Sequence, residues 1–313
     1  MSYFNIIAQT TENTVVTEYE PVKTRSGNYQ SEAALEKEFI RMLTEQGYEY
    51  LTIHKEDDLI NNLRGRLEKL NNYNFSQAEW DRFFKECIAN QNEGIVEKTR
   101  KIQENHIYDF IFDDGHLKNI KIIDKKNIHN NFLQVTHQVW GEGKSRNRYD
   151  VTVLVNGLPL VHIELKKRGV NMHEAFNQIH RYSKESFNSE NSLYKYVQLF
   201  VISNGTYTRY FANTTAQNKN HYEFTCEWAD AKNKVIRDLE DFTKTFFEKR
   251  VILEILTKYC VFDVTNTLLV MRPYQIAATE RILWKINPVL NLRRRVELKP
   301  EVLFGIRQGQ VKH

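Results

Sequence analysis

Two apolar stretches, "RYDVTVLV" and "LPLVHIEL", flank Asn156-Gly157, and this pair constrains the fold more than any other segment. Side chains alternate across a strand. In the first stretch Val151, Val153 and Val155 share one face, and Asp150, Thr152 and Leu154 the other. In the second, Pro159, Val161, Ile163 and Leu165 point one way, and Leu158, Leu160, His162, Glu164 and Lys166 the other. Asn-Gly predicts a hairpin. A plain two-residue turn would pair Asp150 with Ile163 and put charge on the apolar face. A three-residue connection with Gly157 in a bulge keeps the valines with Val161 and Ile163. It predicts Asp150 beside His162, one diagonal step from Glu164. The hydrophobic pattern alone then gathers Asp150, Glu164 and Lys166 at the end away from the turn.

Such a trio has a chemical use. Two carboxylates on rigid strands can hold Mg²⁺, a hard cation that prefers oxygen ligands. The metal polarises a phosphoryl oxygen and lowers the pKa of a bound water. A lysine two residues after an acid shares its face and can orient that water or neutralise a phosphate. This is the layout of a metal-dependent phosphodiesterase. The competing reading is a strand end whose charges face solvent, and the spacing alone leaves both open.

The 313 residues suffice for one large domain or two. With 41% hydrophobic and 12% aromatic residues, the chain can build a real core. No apolar run is long enough to span a membrane. The start, "MSYFNIIAQT", lacks the basic and long apolar segments of a secretory signal, so a cytoplasmic protein is expected. Cys87, Cys226 and Cys260 are scattered and suggest neither a disulfide framework nor a zinc site. The net charge of +4 permits nucleic-acid binding without demanding it. Of the local basic clusters, Lys166-Lys167-Arg168 abuts the carboxylates and makes Lys167 and Arg168 candidate DNA contacts, while Arg293-Arg294-Arg295 lies in the tail.

Residues 1 to about 28 read as polar and irregular, with a short strand at Val15-Val16. Ser31 caps a helix running to about Gln46, with Leu35, Phe39, Met42 and Leu43 at helical spacing and Gly47 ending it. Glu36 borders that stripe. Residues 56 to 105 read as charged amphipathic helices. "YDFIFDD", "IKIID" and "NFLQVTHQVW" read as strands, "HEAFNQIHRYSKESF" as a helix, and "YVQLFVISNG" as a central strand covered on both faces. Further strands are expected at "TRYFANT" and "YEFTCEWA", then helices over "VIRDLEDFTKTFFEKRVILEILTKY". The class is α/β. In the helix after the hairpin, Gln178 and Tyr182 stand at i and i+4 and share a face. They could serve a phosphate or a carboxylate, or form a polar outer surface.

These segments together resemble the N-terminal endonuclease region of the R subunit of type I restriction-modification enzymes. The resemblance is strongest from "RYDVTVLVNGLPLVHIELKKRGVNMHEAFNQIHRYSKESF" through "LFVISNGTYTRYFANT", and continues through "FDVTNTLLVMRPYQIAATERILWKI". It covers most of residues 30 to 286. It implies a PD-(D/E)xK nuclease-like mixed sheet flanked by helices, with Asp150, Glu164 and Lys166 as catalytic trio and Asp150 and Glu164 as Mg²⁺ ligands. It implies that Gln178 and Tyr182 form the family's Q-xxx-Y motif, and that Glu36 is a supporting acid on the fold's first helix. Asp150 follows Tyr149 where the motif's name has proline.

"MRPYQIAATERILWKI" resembles the entry to the family's DNA-translocating motor, which makes Tyr274 and Gln275 candidates for contact with a nucleotide base. The motor needs a G-x-x-x-x-G-K-[ST] loop, and this sequence has none. The expected division is an endonuclease domain over 1–265 and the start of a truncated motor with an atypical tail over 266–313. The first functional expectation is Mg²⁺-dependent cleavage of double-stranded DNA, alongside methyltransferase and specificity subunits. The second is a non-catalytic docking or DNA-binding fragment of the same subunit. An ATPase is the weakest, and ATP is expected only for the full-length enzyme.

Overall fold

The computed structural model describes residues 4–9, 14–19, 31–53, 55–140, 148–185, 192–213, 221–230 and 232–295. Strands β1 (Phe4–Gln9) and β2 (Thr14–Tyr19) pair antiparallel, so the expected irregular N-terminal segment contains a hairpin that takes in Val15-Val16. Helix α1 (Glu32–Glu45) starts where Ser31 accepts a hydrogen bond from the Ala34 N–H, and ends at Gln46, before Gly47 with φ 84°. The short strand β3 (Glu49–Tyr50) precedes three helices: α2 (Glu56–Asn71), α3 (Gln77–Phe83) and α4 (Ile95–Gln103). A hairpin of β4 (Ile107–Ile111) and β5 (Leu117–Lys121) follows.

The sheet that positions the site comes next. It is built from β6 (Leu133–Trp140), β7 (Arg148–Val155), β8 (Leu158–Leu165), helix α5 (Met172–Glu185), β9 (Leu199–Ser203) and β10 (Thr208–Ala212). Six strands lie in the order β10-β9-β8-β7-β6-β3. β8 and β9 are parallel, joined across α5, and β3 is parallel to β6; the other neighbours are antiparallel. The sheet is therefore mixed and flanked by helices, as the α/β reading requires.

The remaining elements are β11 (Trp228–Ala229), β12 (Val235–Ile236), α6 (Leu239–Phe246), α7 (Lys249–Glu254), β13 (Cys260–Phe262), β14 (Leu268–Val270) and α8 (Pro273–Arg295). "YEFTCEWA" is a single 3₁₀ turn, Tyr222–Phe224, followed by the two-residue β11 rather than one long strand. β13 and β14 pair across Asp263–Thr267, so one hairpin straddles position 265.

Every residue of β8 and β9 is buried, which takes two covered faces. Leu59, Leu63 and Leu67, spaced four apart on α2, form one fully buried stripe. Phe39 of α1 meets Phe247 edge to face at 5.4 Å.

The β7–β8 hairpin corrects the expected turn. Val155 pairs with Leu158, so Asn156-Gly157 is a two-residue connection with φ 54° and 87°. The extra residue lies further along. Leu154 pairs with Pro159 but Val153 pairs with Val161, leaving Leu160 as the bulge. Proline has no N–H for a ladder, so a bulge beside Pro159 costs little pairing. The valines do stand opposite Val161 and Ile163. The turn itself is buried: Asn156 takes the Phe132 N–H and donates to the Ile122 and Asn131 oxygens. A Cβ on Gly157 would lie 2.5 Å from Leu63 Cα, so α2 packs directly onto the turn.

Candidate functional site

Moving the odd residue from the turn to Leu160 shifts the far end of the hairpin. Thr152, not Asp150, lies opposite His162. Continuing the register past Val151–Ile163 sets Asp150 across from Glu164 itself. The Leu165 N–H donates to Asp150 Oδ2 at 2.9 Å and fixes that carboxylate against β8. Lys166 Nζ donates to Glu164 Oε1 at 2.8 Å, and its backbone N–H is held by the Ser203 carbonyl of β9. Asp150, Glu164 and Lys166 thus converge on adjoining strand ends.

The site is not the solvent-facing edge that the charges suggested. Glu164 is fully buried and the Lys166 side chain is only 12% exposed. Burial pushes the Asp150 carboxyl up to about 7, reinforced by the charge of Glu164 and partly offset by the Leu165 N–H and Lys166. Burial likewise pushes Glu164 up to about 7, against the pull of Lys166. Lys166 itself is lowered by burial but raised more by Glu164, with a net upward shift, so it stays an ammonium. The two carboxyls hold a proton near neutrality that a cation could replace.

His162 was placed by alternation on the charged face, but sequence reasoning gave it no role. It is fully buried, with Nε2 3.6 Å from Glu164 Oε2. Burial pulls its pKa down to about 4, so the ring is neutral at pH 7. Tyr182 and Tyr194 pack around it, and the Tyr194 hydroxyl meets Thr152 Oγ1 at 3.1 Å.

Gln178 and Tyr182 do share a face of α5, and the Gln178 amide donates to the Tyr182 hydroxyl. Tyr182 is buried, which raises its pKa, and it lies close enough for the Glu164 and Asp150 charges to act on it. Glu36 is buried on α1 and accepts from the Gln138 amide at 3.2 Å. Sequence reasoning passed over Glu32, one turn before it, which accepts from the Lys167 N–H at 3.4 Å. The available signal was its i, i+4 spacing to Glu36. Lys167 is exposed, whereas Arg168 is half-buried with its side chain against Gly205.

Tyr274 and Gln275 fall outside this cluster. They occupy the first turn of α8, which packs beside β11. Tyr274 is exposed, and the Gln275 side-chain oxygen accepts the Arg272 N–H at 2.8 Å, capping its own helix. Among the described residues no group of three or more His, Cys, Asp or Glu side chains forms a metal site, so the candidate centre rests on two carboxylates. No described helix is long and apolar enough to cross a membrane.

Residues 29–219 match the family described as the type I restriction enzyme R protein N terminus, a span that contains the whole cluster. The chain belongs to that family. An Escherichia coli relative named as the type I restriction enzyme EcoprrI endonuclease subunit is 57% identical over 282 residues, 90% of each chain. A Staphylococcus saprophyticus endonuclease subunit is 37% identical over 269 residues, which are 84% of this chain but 28% of that protein. A Methanocaldococcus jannaschii protein, named as a putative endonuclease subunit, is 27% identical over 180 residues, 55% of this chain and 17% of that one. This R-subunit N-terminal chain therefore spans most of one relative and less than a third of the others.

Proposed function

We propose that this chain is the nuclease part of a type I restriction complex and hydrolyses phosphodiester bonds of double-stranded DNA with Mg²⁺, in defence against foreign DNA. The observation that carries the reading is the meeting of a buried carboxylate, a half-buried one and one ammonium: Asp150 across from Glu164, and Lys166 2.8 Å from Glu164. Two like acids buried together are unfavourable unless a proton or cation joins them. An all-oxygen pair on rigid strands suits a hard divalent ion, so the residues fit Mg²⁺, with Asp150 and Glu164 as its protein ligands. Bound there, Mg²⁺ would supply Lewis acidity and a water of lowered pKa.

The chain's own residues divide the remaining work. The Leu165 N–H holds the plane of the Asp150 carboxylate. Lys166 keeps its charge and can neutralise a phosphate oxygen while orienting the attacking water. Tyr182, kept protonated by burial and braced by Gln178, can donate toward the carboxylates or a phosphate. Glu36 supports the centre from α1. Lys167, exposed just past the site, suits a phosphate-backbone contact, with Arg168 packed behind it. Sequence choice would come from a separate specificity subunit, with the methyltransferase as the other partner. Any nucleotide contact by Tyr274 and Gln275 belongs to the full-length enzyme.

Calorimetric titration with Mg²⁺ and Mn²⁺, on wild type and Asp150→Ala, tests this reading. Binding by wild type and its loss in the variant are expected, together with loss of plasmid cleavage by the reassembled complex. No divalent binding and no cleavage would leave a docking fragment instead, and equal cleavage by both proteins would remove Asp150 from the centre.

A further inference from the structure

Five non-glycine residues among those described have positive φ, and four are asparagines. The fifth is Gln138, at φ 56°. Asparagine tolerates left-handed backbone through its short amide; glutamine has no such preference. Nor is Gln138 in a turn. It lies inside β6, where a regular strand has no use for this conformation. Backbone strain of this kind persists only where the surroundings enforce it, and it concentrates at functional sites.

The surroundings point to Asp150. His137 pairs with Val151 and Val139 with Tyr149 in one constant register, and the pair between them, Gln138 with Asp150, is missing from the ladder. No residue is inserted, so the backbone turns over at a single position. Alternation is disturbed on β7 as well. Tyr149 should share a face with Val151, yet its ring packs on Tyr194 at 4.3 Å and Tyr182 at 5.2 Å, on the side of Thr152 and His162.

The Gln138 side chain has its own destination. Its amide donates to Glu36 Oε2 at 3.2 Å, and Glu36 is buried on α1. α1 packs across β6, β7 and β8. Glu32, on the same face one turn earlier, takes the Lys167 N–H. The first half of α1 therefore lies along the carboxylate centre.

We infer that Gln138 is a positioning residue of this centre. Its left-handed backbone opens the β6–β7 ladder beside Asp150, and its amide fixes the Glu36 carboxylate on the side that α1 covers. The inference rests on the nuclease reading above and adds to it a residue that touches neither metal nor phosphate. Its mark is a conflict: relief of the strain favours the fold and harms the site.

Gln138→Gly removes both strain and amide. Gln138→Asn keeps an amide that suits the left-handed backbone but falls short of Glu36. Melting temperature and Mn²⁺ dissociation constant are measured on the full chain. Both variants are expected to hold or raise Tm while the Mn²⁺ dissociation constant rises at least about threefold. Glu36→Gln should weaken Mn²⁺ similarly, and the double variant with Gln138→Gly should be no worse than either single one. Unchanged Mn²⁺ affinity in both Gln138 variants overturns the inference, as does an additive double variant. A Tm lowered in both, with affinity falling alongside, also overturns it, because a loosened sheet would suffice. A wild type that binds no Mn²⁺, or an Asp150→Asn variant that binds as tightly, sinks the nuclease reading and this inference together. Asp150-dependent binding that ignores Gln138 sinks this inference alone.

Discussion

The Leu165 N–H donates to Asp150 Oδ2 at 2.9 Å, so the peptide between Glu164 and Lys166 is tied to the acid on the neighbouring strand. One backbone bond links all three candidate residues. It also gives Asp150 a structural part beside the chemical one proposed for it, which governs the choice of variant.

Asp150→Asn keeps an acceptor for Leu165 and removes the like charge that faces buried Glu164. Its stability at pH 8 is expected to equal or exceed that of wild type. Asp150→Ala strands the Leu165 N–H and should cost about 1 kcal/mol relative to Asp150→Asn. Both should lower cleavage at least about 100-fold. Urea unfolding separates them; equal stabilities would mean that the bond to Leu165 contributes nothing.

Lys166→Ala should abolish cleavage and leave Mn²⁺ binding largely in place at pH 8.5, because an ammonium cannot ligate a cation. Glu164, left buried without its partner, then favours its protonated form, so stability falls by about 1–2 kcal/mol at pH 8. Lys166→Arg should remain poor, since a planar fork does not replace a compact ammonium. Wild-type cleavage by Lys166→Ala, in an assay where Asp150→Ala is dead, removes the lysine from the mechanism.

Much of this centre was legible because burial imposes alternation. The valines, Val161 and Ile163 fixed the pairing of their strands, and the acids followed. Ser31 and the spacing of Gln178 and Tyr182 were legible for the same local reasons. The place of the bulge was not legible from Asn156-Gly157, because it is set by Pro159, whose missing N–H interrupts the ladder at Leu160. The burial of Glu164 was not legible: it depends on α1, α5 and the 193–196 turn closing over the strand ends, which no local pattern encodes. Gln138 gave no signal at all, since glutamine has no preference for its conformation.

Gly157→Ala should destabilise the chain by at least about 2 kcal/mol. Two costs combine: φ is 87°, and the new Cβ would meet the α2 backbone at Leu63. Asn156→Ala should cost about 2–4 kcal/mol, because it strands the Phe132 N–H and the buried Ile122 carbonyl. Soluble yield and urea midpoints check both. A tolerated Gly157→Ala would show that α2 does not seat on the turn.

The carboxyl pair also gives a pH signature. Asp150 and Glu164 titrate near pH 7, above the ordinary value of about 4, chiefly through burial. A carboxyl raised in the fold contributes stability that is complete below its unfolded pKa and lost as pH rises through its folded pKa. His162 acts in the other direction: with its pKa pulled down to about 4, it costs stability as pH falls below 6.5. Lys98 and Lys125, each lowered by burial to about 8, are already half-titrated there and add stability as pH rises, alike in wild type and Asp150→Asn. The difference between wild type and Asp150→Asn from pH 6.5 to 8 therefore isolates the pair. Across that window metal-free wild type should lose on the order of 1 kcal/mol more than Asp150→Asn. Mg²⁺ at pH 8 should restore the loss, because the bound cation takes the place of the proton. Parallel profiles for wild type and Asp150→Asn, read from urea midpoints in chelator, would mean that the two carboxyls do not share a buried site.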